Sequence, residues 1–109
     1  MGINIKHLGT LSLAAALLAG TCLLSAPAKA DAAAGGTLFK TKCAGCHGAD
    51  GKGKEVMKTS DLGAADVQKL SDAELTGIIT GGKGKMPAYK TLSADQVKDL
   101  VSFIRSLKK

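Results

Sequence analysis

Aromatic side chains are scarce in this chain: it has no tryptophan, and Phe39, Phe103 and Tyr89 are its only aromatics among 109 residues. Three aromatics make a thin core, and the 14 glycines add nothing to it. Histidine appears twice, cysteine three times and proline twice. No stretch alternates apolar with polar residues in the β-branched style of a half-buried strand, which argues against any sheet. There is no internal repeat and no low-complexity segment beyond short alanine-rich runs. A length of 109 residues limits the chain to one small domain and excludes a large multi-domain enzyme.

The segment Met1–Ala30 reads as a secretory leader rather than as part of the fold. Met1–His7 is a polar start carrying Lys6, Leu8–Leu24 is free of charge and rich in alanine and leucine, and Ser25–Ala30 ends in small residues. This order predicts cleavage after Ala30, with cleavage after Ala28 as the close competitor. The alternative is a retained anchor, since the uncharged run Leu8–Leu24 just reaches the lower length limit of a bilayer-spanning helix. Gly9, Thr10, Ser12, Gly20 and Thr21 dilute the run and favour removal. Cys22 does not mark a lipoprotein, because Ala-Gly-Thr precedes it where a lipid-attachment box needs Leu at the third position back. Removal of the leader leaves Asp31–Lys109 as the mature chain. Lys6 and Lys29 go with the leader and no acidic side chain does, so the net charge falls from +6 to +4. One histidine stays, His47, with two cysteines, Cys43 and Cys46, and two methionines, Met57 and Met86. A domain this short usually needs a disulfide, a metal or a cofactor to fold.

What remains is helical in pattern, so the fold class is all-α. Asp31 to about Cys43 predicts a first helix, with Gly35, Phe39 and Cys43 on one face. Ser71 and Glu74 form a capping box, Leu70 and Leu75 a hydrophobic staple, and Gly81-Gly82 ends that helix. Ser93 and Gln96 repeat the box, with Leu92 and Val97 as staple. Val97, Leu100, Val101, Ile104 and Leu107 then share one face, and Arg105, Lys108 and Lys109 suit the negative end of the dipole. Gly63–Lys69 reads as a short extra helix. Gly48–Lys54 and Gly81–Lys85 are loops rich in glycine and lysine.

Cys43-Ala44-Gly45-Cys46-His47 is the sequence of c-type haem attachment. Two thiols add across the haem vinyl groups as thioethers, two intervening residues set their separation, and the following histidine is held beneath the iron. An exported chain strengthens the reading, because this attachment takes place outside the bacterial cytoplasm. A zinc site would need three or four protein ligands, and no second knuckle exists. A thioredoxin-like pair expects a βαβ pattern. A structural disulfide here would close almost no loop.

Bis-histidine ligation within one chain is excluded once His7 leaves, so the second axial ligand falls to a methionine. Met is more often core filler than ligand. Met57 follows His47 too closely in sequence for the chain to pass the edge of a haem, whereas a whole predicted helix separates His47 from Met86. Gly81, Gly82 and Gly84 let the backbone come close to a flat macrocycle, and Pro87 biases Met86 to an extended conformation. The axial pair predicted is therefore His47 and Met86.

From Cys-x-x-Cys-His through Asp61-Leu62-Gly63 and Gly84-Lys-Met-Pro87 to the last helix, the chain resembles the class I c-type cytochromes of the small bacterial and photosynthetic electron-carrier kind. The resemblance covers the whole of residues 31–109. It implies the cytochrome c fold: three to four helices wrapped around one covalently attached haem c, with the first and last helices crossing through Gly35 and Phe39 on one and Leu100 and Phe103 on the other. The family commonly has a proline before the Asp/Asn-Leu, whose carbonyl accepts from the axial histidine ring. Ser60 stands there instead, and its carbonyl remains as the candidate acceptor.

The resemblance implies a periplasmic electron carrier cycling one haem between ferric and ferrous states. The alternative is a haem c subunit or domain of a larger respiratory or oxidoreductase complex. No catalysis is expected: a peroxidase or gas sensor would need an open iron position and a distal acid/base, and no spare histidine is left. Lys42, Lys83, Lys85 and Lys90 flank the motifs and predict docking to redox proteins with acidic surfaces. The mature chain is expected to be a monomer, without nucleic-acid partners and without stable membrane insertion.

Overall fold

The computed structural model describes residues 30–109. The expected leader lies, apart from Ala30, outside the described residues. Three helices longer than two turns carry the fold, α1 (Ala32–Lys42), α4 (Asp72–Gly81) and α5 (Ala94–Ser106), joined through the single turns α2 (Ala44–His47) and α3 (Ala65–Gln68). A 3₁₀ turn at Glu55–Met57, just after the glycine-rich loop Gly48–Lys54, completes the described secondary structure. Among the described residues there is no strand, only an isolated bridge between Lys83 and Met86. No helix among them is long and apolar enough to cross a membrane.

Each long helix starts where its sequence provides an acceptor. Asp31 caps α1, its carboxylate accepting from the backbone of Ala33 at 2.9 Å and Ala34 at 3.2 Å. Both capping boxes form: the Ser71 hydroxyl accepts from Glu74 N while the Glu74 carboxylate accepts from Ser71 N, and Ser93 and Gln96 do the same. Such caps are each worth about 1 kcal/mol. α4 ends at Gly82, as expected from Gly81-Gly82.

The core is a crossing of α1 over α5, with α4 docked on α5. Its buried members are Phe39, Leu75, Ile79, Val97, Leu100, Val101 and Ile104. At the crossing Gly35 lies so close to α5 that a Cβ there would collide with the Asp99 carbonyl. Gly36 lies beneath the Phe103 ring, and the Phe39 and Phe103 rings meet at 4.9 Å with a 43° tilt. That geometry adds roughly 0.5–1.5 kcal/mol to the burial itself. The role of Gly36 is missing from the sequence pattern, because one glycine of an adjacent pair satisfies it.

Arg105 does more than complement a dipole. It donates to the Asp72 carboxylate at 3.0 and 2.8 Å and to the carbonyls of Gln68 and Leu70. The Gln68 carboxamide donates to Leu62 O at 2.8 Å and Ile104 O at 2.9 Å. Together they fasten residues 62–72 to the end of α5. Lys109 pairs with Asp61, and hydrogen bonding from Lys109 and from the Gly63 backbone holds that carboxyl below its ordinary value.

Candidate functional site

The Cys43–His47 motif folds as one helical turn following α1. Cys46 N and His47 N both donate to Cys43 O, at 3.1 and 2.9 Å. The four-residue spacing of Cys43 and His47 places them on one side of this turn. Gly48, at φ 82°, reverses the chain, and Gly53 N returns to His47 O at 2.7 Å. The Thr59 hydroxyl then donates to Cys46 O at 2.6 Å and accepts from Lys54 N at 2.8 Å. Thr59 is a site residue that sequence reasoning missed, and no local pattern marks it.

Met86 is presented by a tight turn after α4. Lys83 N donates to Met86 O at 3.1 Å and Met86 N to Lys83 O at 2.9 Å. Gly84, with φ 58°, makes that turn. The segment ends where Tyr89 N donates to Ile79 O at 2.9 Å, while the Tyr89 hydroxyl donates to Lys42 O at 3.0 Å. Burial raises the Tyr89 hydroxyl above its ordinary value, which keeps it protonated and able to donate.

Two cavities meet between these segments. The larger, about 310 Å³, reaches into the core, where Phe39, Leu75, Ile79, Leu100 and Ile104 form part of its wall. The smaller, about 130 Å³, opens beside Cys46 and Met57. Cys43, His47, Met86 and Tyr89 border both. The structure thus brings Met86, far away in sequence, to the same two neighbouring cavities that the Cys43–His47 turn borders. Met57 borders only the smaller cavity and is 46% exposed.

The chemistry of this donor set fits a haem c. Burial alone lowers the His47 imidazole below its ordinary value, favouring the neutral form that can ligate. Its Nδ1 is buried and has no hydrogen-bond partner. The Ser60 carbonyl, the acceptor named for that ring, does not receive it. Thr59 is anchored just before it, and Gly53 packs against the Thr59 and Ser60 carbonyls. Cys43 and Cys46 are free thiols; burial, the larger influence, raises Cys43 against the opposing pull of Lys42. Among the described residues no three His, Cys, Asp or Glu side chains converge to hold a metal ion by themselves.

Comparison with known proteins points to the same cofactor. Residues 30–104 match the family model of the cbb3-type cytochrome c oxidase subunit III. Cytochrome c6 of Leptolyngbya boryana is 38% identical over 77 residues, covering 69% of this chain and 91% of the relative. The chain belongs to the class I c-type cytochromes. Subunit CcoP of the cbb3-type cytochrome c oxidase from Helicobacter pylori (strain 52) is 43% identical over 82 residues, covering 68% of this chain and 27% of that longer protein. Among solved structures, the KustC0563 c-type cytochrome superposes with a TM-score of 0.61 at 30% identity, covering 69% of this chain and 98% of that one. The cytochrome is therefore a small helical electron carrier of a family that binds haem c covalently, and the all-α cytochrome c fold expected from its motifs is the fold observed.

Proposed function

We propose that this cytochrome is an exported, monomeric, non-enzymatic carrier holding one haem through thioethers at Cys43 and Cys46 and axial bonds from His47 and Met86. The observation that carries the reading is the convergence of those four side chains on one apolar cavity system. Bound there, the haem supplies a one-electron ferric/ferrous couple, and a thioether ligand raises its potential. The chain's own part is rigidity, exclusion of water and docking. With both axial positions taken by its own side chains, no site is left for substrate. Arg105, the one arginine, is committed to Asp72, Gln68 and Leu70 at the end of α5.

Export and removal of residues 1–30 belong to the same reading, with the periplasm as the place of work. Asp31 N donates to the Asp99 carboxylate at 2.8 Å. Cleavage after Ala30 turns that nitrogen into a charged amino group already facing a carboxylate, so the new terminus strengthens the α1–α5 crossing. Terminal sequencing of the purified protein checks this, Asp31 being the expected first residue.

The partner is a redox protein with an acidic surface around an apolar spot. Lys42 and Lys85 border the smaller cavity and Lys83 the larger, and all three are exposed. Beside them Val56, 87% exposed, and Met57 project from the 3₁₀ turn between exposed Lys54 and Lys58. Oxidation by ferricyanide is expected to slow as ionic strength rises, because added salt shortens the screening length from about 30 Å at 0.01 M to about 10 Å at 0.1 M. Charge reversal at Lys42, Lys83 and Lys85 is expected to slow it more than reversal at Lys108 and Lys109. Equal effects would mean that net charge, not a docking face, governs the encounter. The relation to CcoP favours one second reading, a subunit of a larger complex. Gel filtration of a periplasmic extract separates the two: haem absorbance at the size of a small monomer supports the carrier.

A further inference from the structure

The Met86 segment is attached to the rest of the molecule in an uneven way. Its two ends hang from neighbouring carbonyls in the last turn of α4: Gly82 N donates to Ile78 O at 2.8 Å and Tyr89 N to Ile79 O at 2.9 Å. Between those ends the backbone bonds are internal, Lys83 with Met86. A loop with both feet on one helical turn can swing as a flap, and its internal bonds do not resist that motion. Among the described residues, one hydrogen bond joins residues 82–89 to the segment that carries the cysteines and His47. It runs from the Tyr89 hydroxyl to the carbonyl of Lys42, 47 residues away and directly before Cys43.

We propose that the Tyr89 hydroxyl is a latch holding the Met86 flap closed against the Cys43–His47 turn. Tyr89 is thereby a positioning residue for the Met86 thioether, an inference that rests on Met86 being the axial ligand. A tyrosine that merely lined the cavity would need only its ring, and phenylalanine would serve equally. Here Tyr89 borders both cavities while its oxygen reaches the main chain of Lys42. The carbonyl it uses belongs to the peptide leading into the first haem-bearing cysteine. Flap and covalent attachment are tied at one point, and opening the flap must break that bond.

The test compares the full-length mature ferric holoprotein with its Tyr89→Phe variant, which keeps the ring and removes the hydroxyl. Imidazole is the probe, since it can reach the iron only when the thioether leaves. Loss of one net hydrogen bond is expected to speed imidazole binding about fivefold, equivalent to about 1 kcal/mol. Hydrogen exchange of the amides in residues 82–90 is expected to speed by a similar factor, with α5 unchanged. Arg105→Ala, which loosens the molecule elsewhere, is expected to lower the urea midpoint without that gain in imidazole rate. Unchanged exchange in residues 82–90 overturns the latch, as does an equal imidazole gain in Arg105→Ala. If exchange in residues 82–90 rises in Tyr89→Phe while Met86→Ala leaves the spectrum and imidazole affinity at their wild-type values, the latch stands and the ligand assignment falls.

Discussion

The α1–α5 crossing and the Met86 flap bound the same cavity system but are held by opposite means. At the crossing, two helices approach until only a hydrogen at Gly35 separates them from the Asp99 carbonyl, and Phe39, Leu100 and Val101 are buried around that contact. At the flap, two glycines with positive φ, a reciprocal backbone pair and one tyrosine hydroxyl do the holding. The first region is rigid because it is packed. The second is held by turns and single bonds, with Met86 and Tyr89 only partly buried against the core. A protein that must keep a ligand in place yet pass electrons through an exposed edge needs both kinds of wall.

The largest effect is expected from removing the proposed haem attachment, which would tie the two regions together. Cys43→Ala with Cys46→Ala is expected to leave a mostly unfolded chain, since stability of a small domain is only about 5–15 kcal/mol in total and seven buried apolar residues are a small core. A cooperative thermal melt followed by helical circular dichroism in the haem-free variant would show that the packed half suffices alone. Next comes Gly35→Ala, which pushes a methyl group into the Asp99 carbonyl. A loss of about 3 kcal/mol or more in urea titration is expected, because backbone cannot yield as a flexible side chain would.

The two regions also differ in how far the sequence revealed them. The capping boxes at Ser71 and Ser93, the apolar face of α5 and the Gly35–Phe39 stripe were legible because helix caps and helical periodicity are local properties. So was the attachment motif, whose five residues are consecutive. The proposed pairing of Met86 with His47 rests on residue counts and glycine placement, and both residues border the same cavities. The hydroxyls of Thr59 and Tyr89 were not legible as fasteners. Their partners, Cys46 O and Lys42 O, are main-chain atoms 13 and 47 residues away, which no local pattern encodes.

A smaller effect marks the seam where the tail meets the loop. Asp61, bonded to Lys109 and to Gly63 N, titrates below its ordinary value when folded. Its contribution is therefore present above the ordinary carboxylate range and lost as pH falls through the depressed folded value. Lys109→Met is expected to reduce the drop in melting temperature between pH 7 and pH 3, by a modest amount because Lys109 is largely exposed.

The axial assignment is tested most directly by the optical spectrum of the purified holoprotein beside its Met86→Ala and Met57→Ala variants. A six-coordinate low-spin ferric spectrum with the weak far-red methionine–iron band is expected, kept in Met57→Ala and lost in Met86→Ala. A high-spin wild-type spectrum, or a far-red band that survives Met86→Ala, would contradict it.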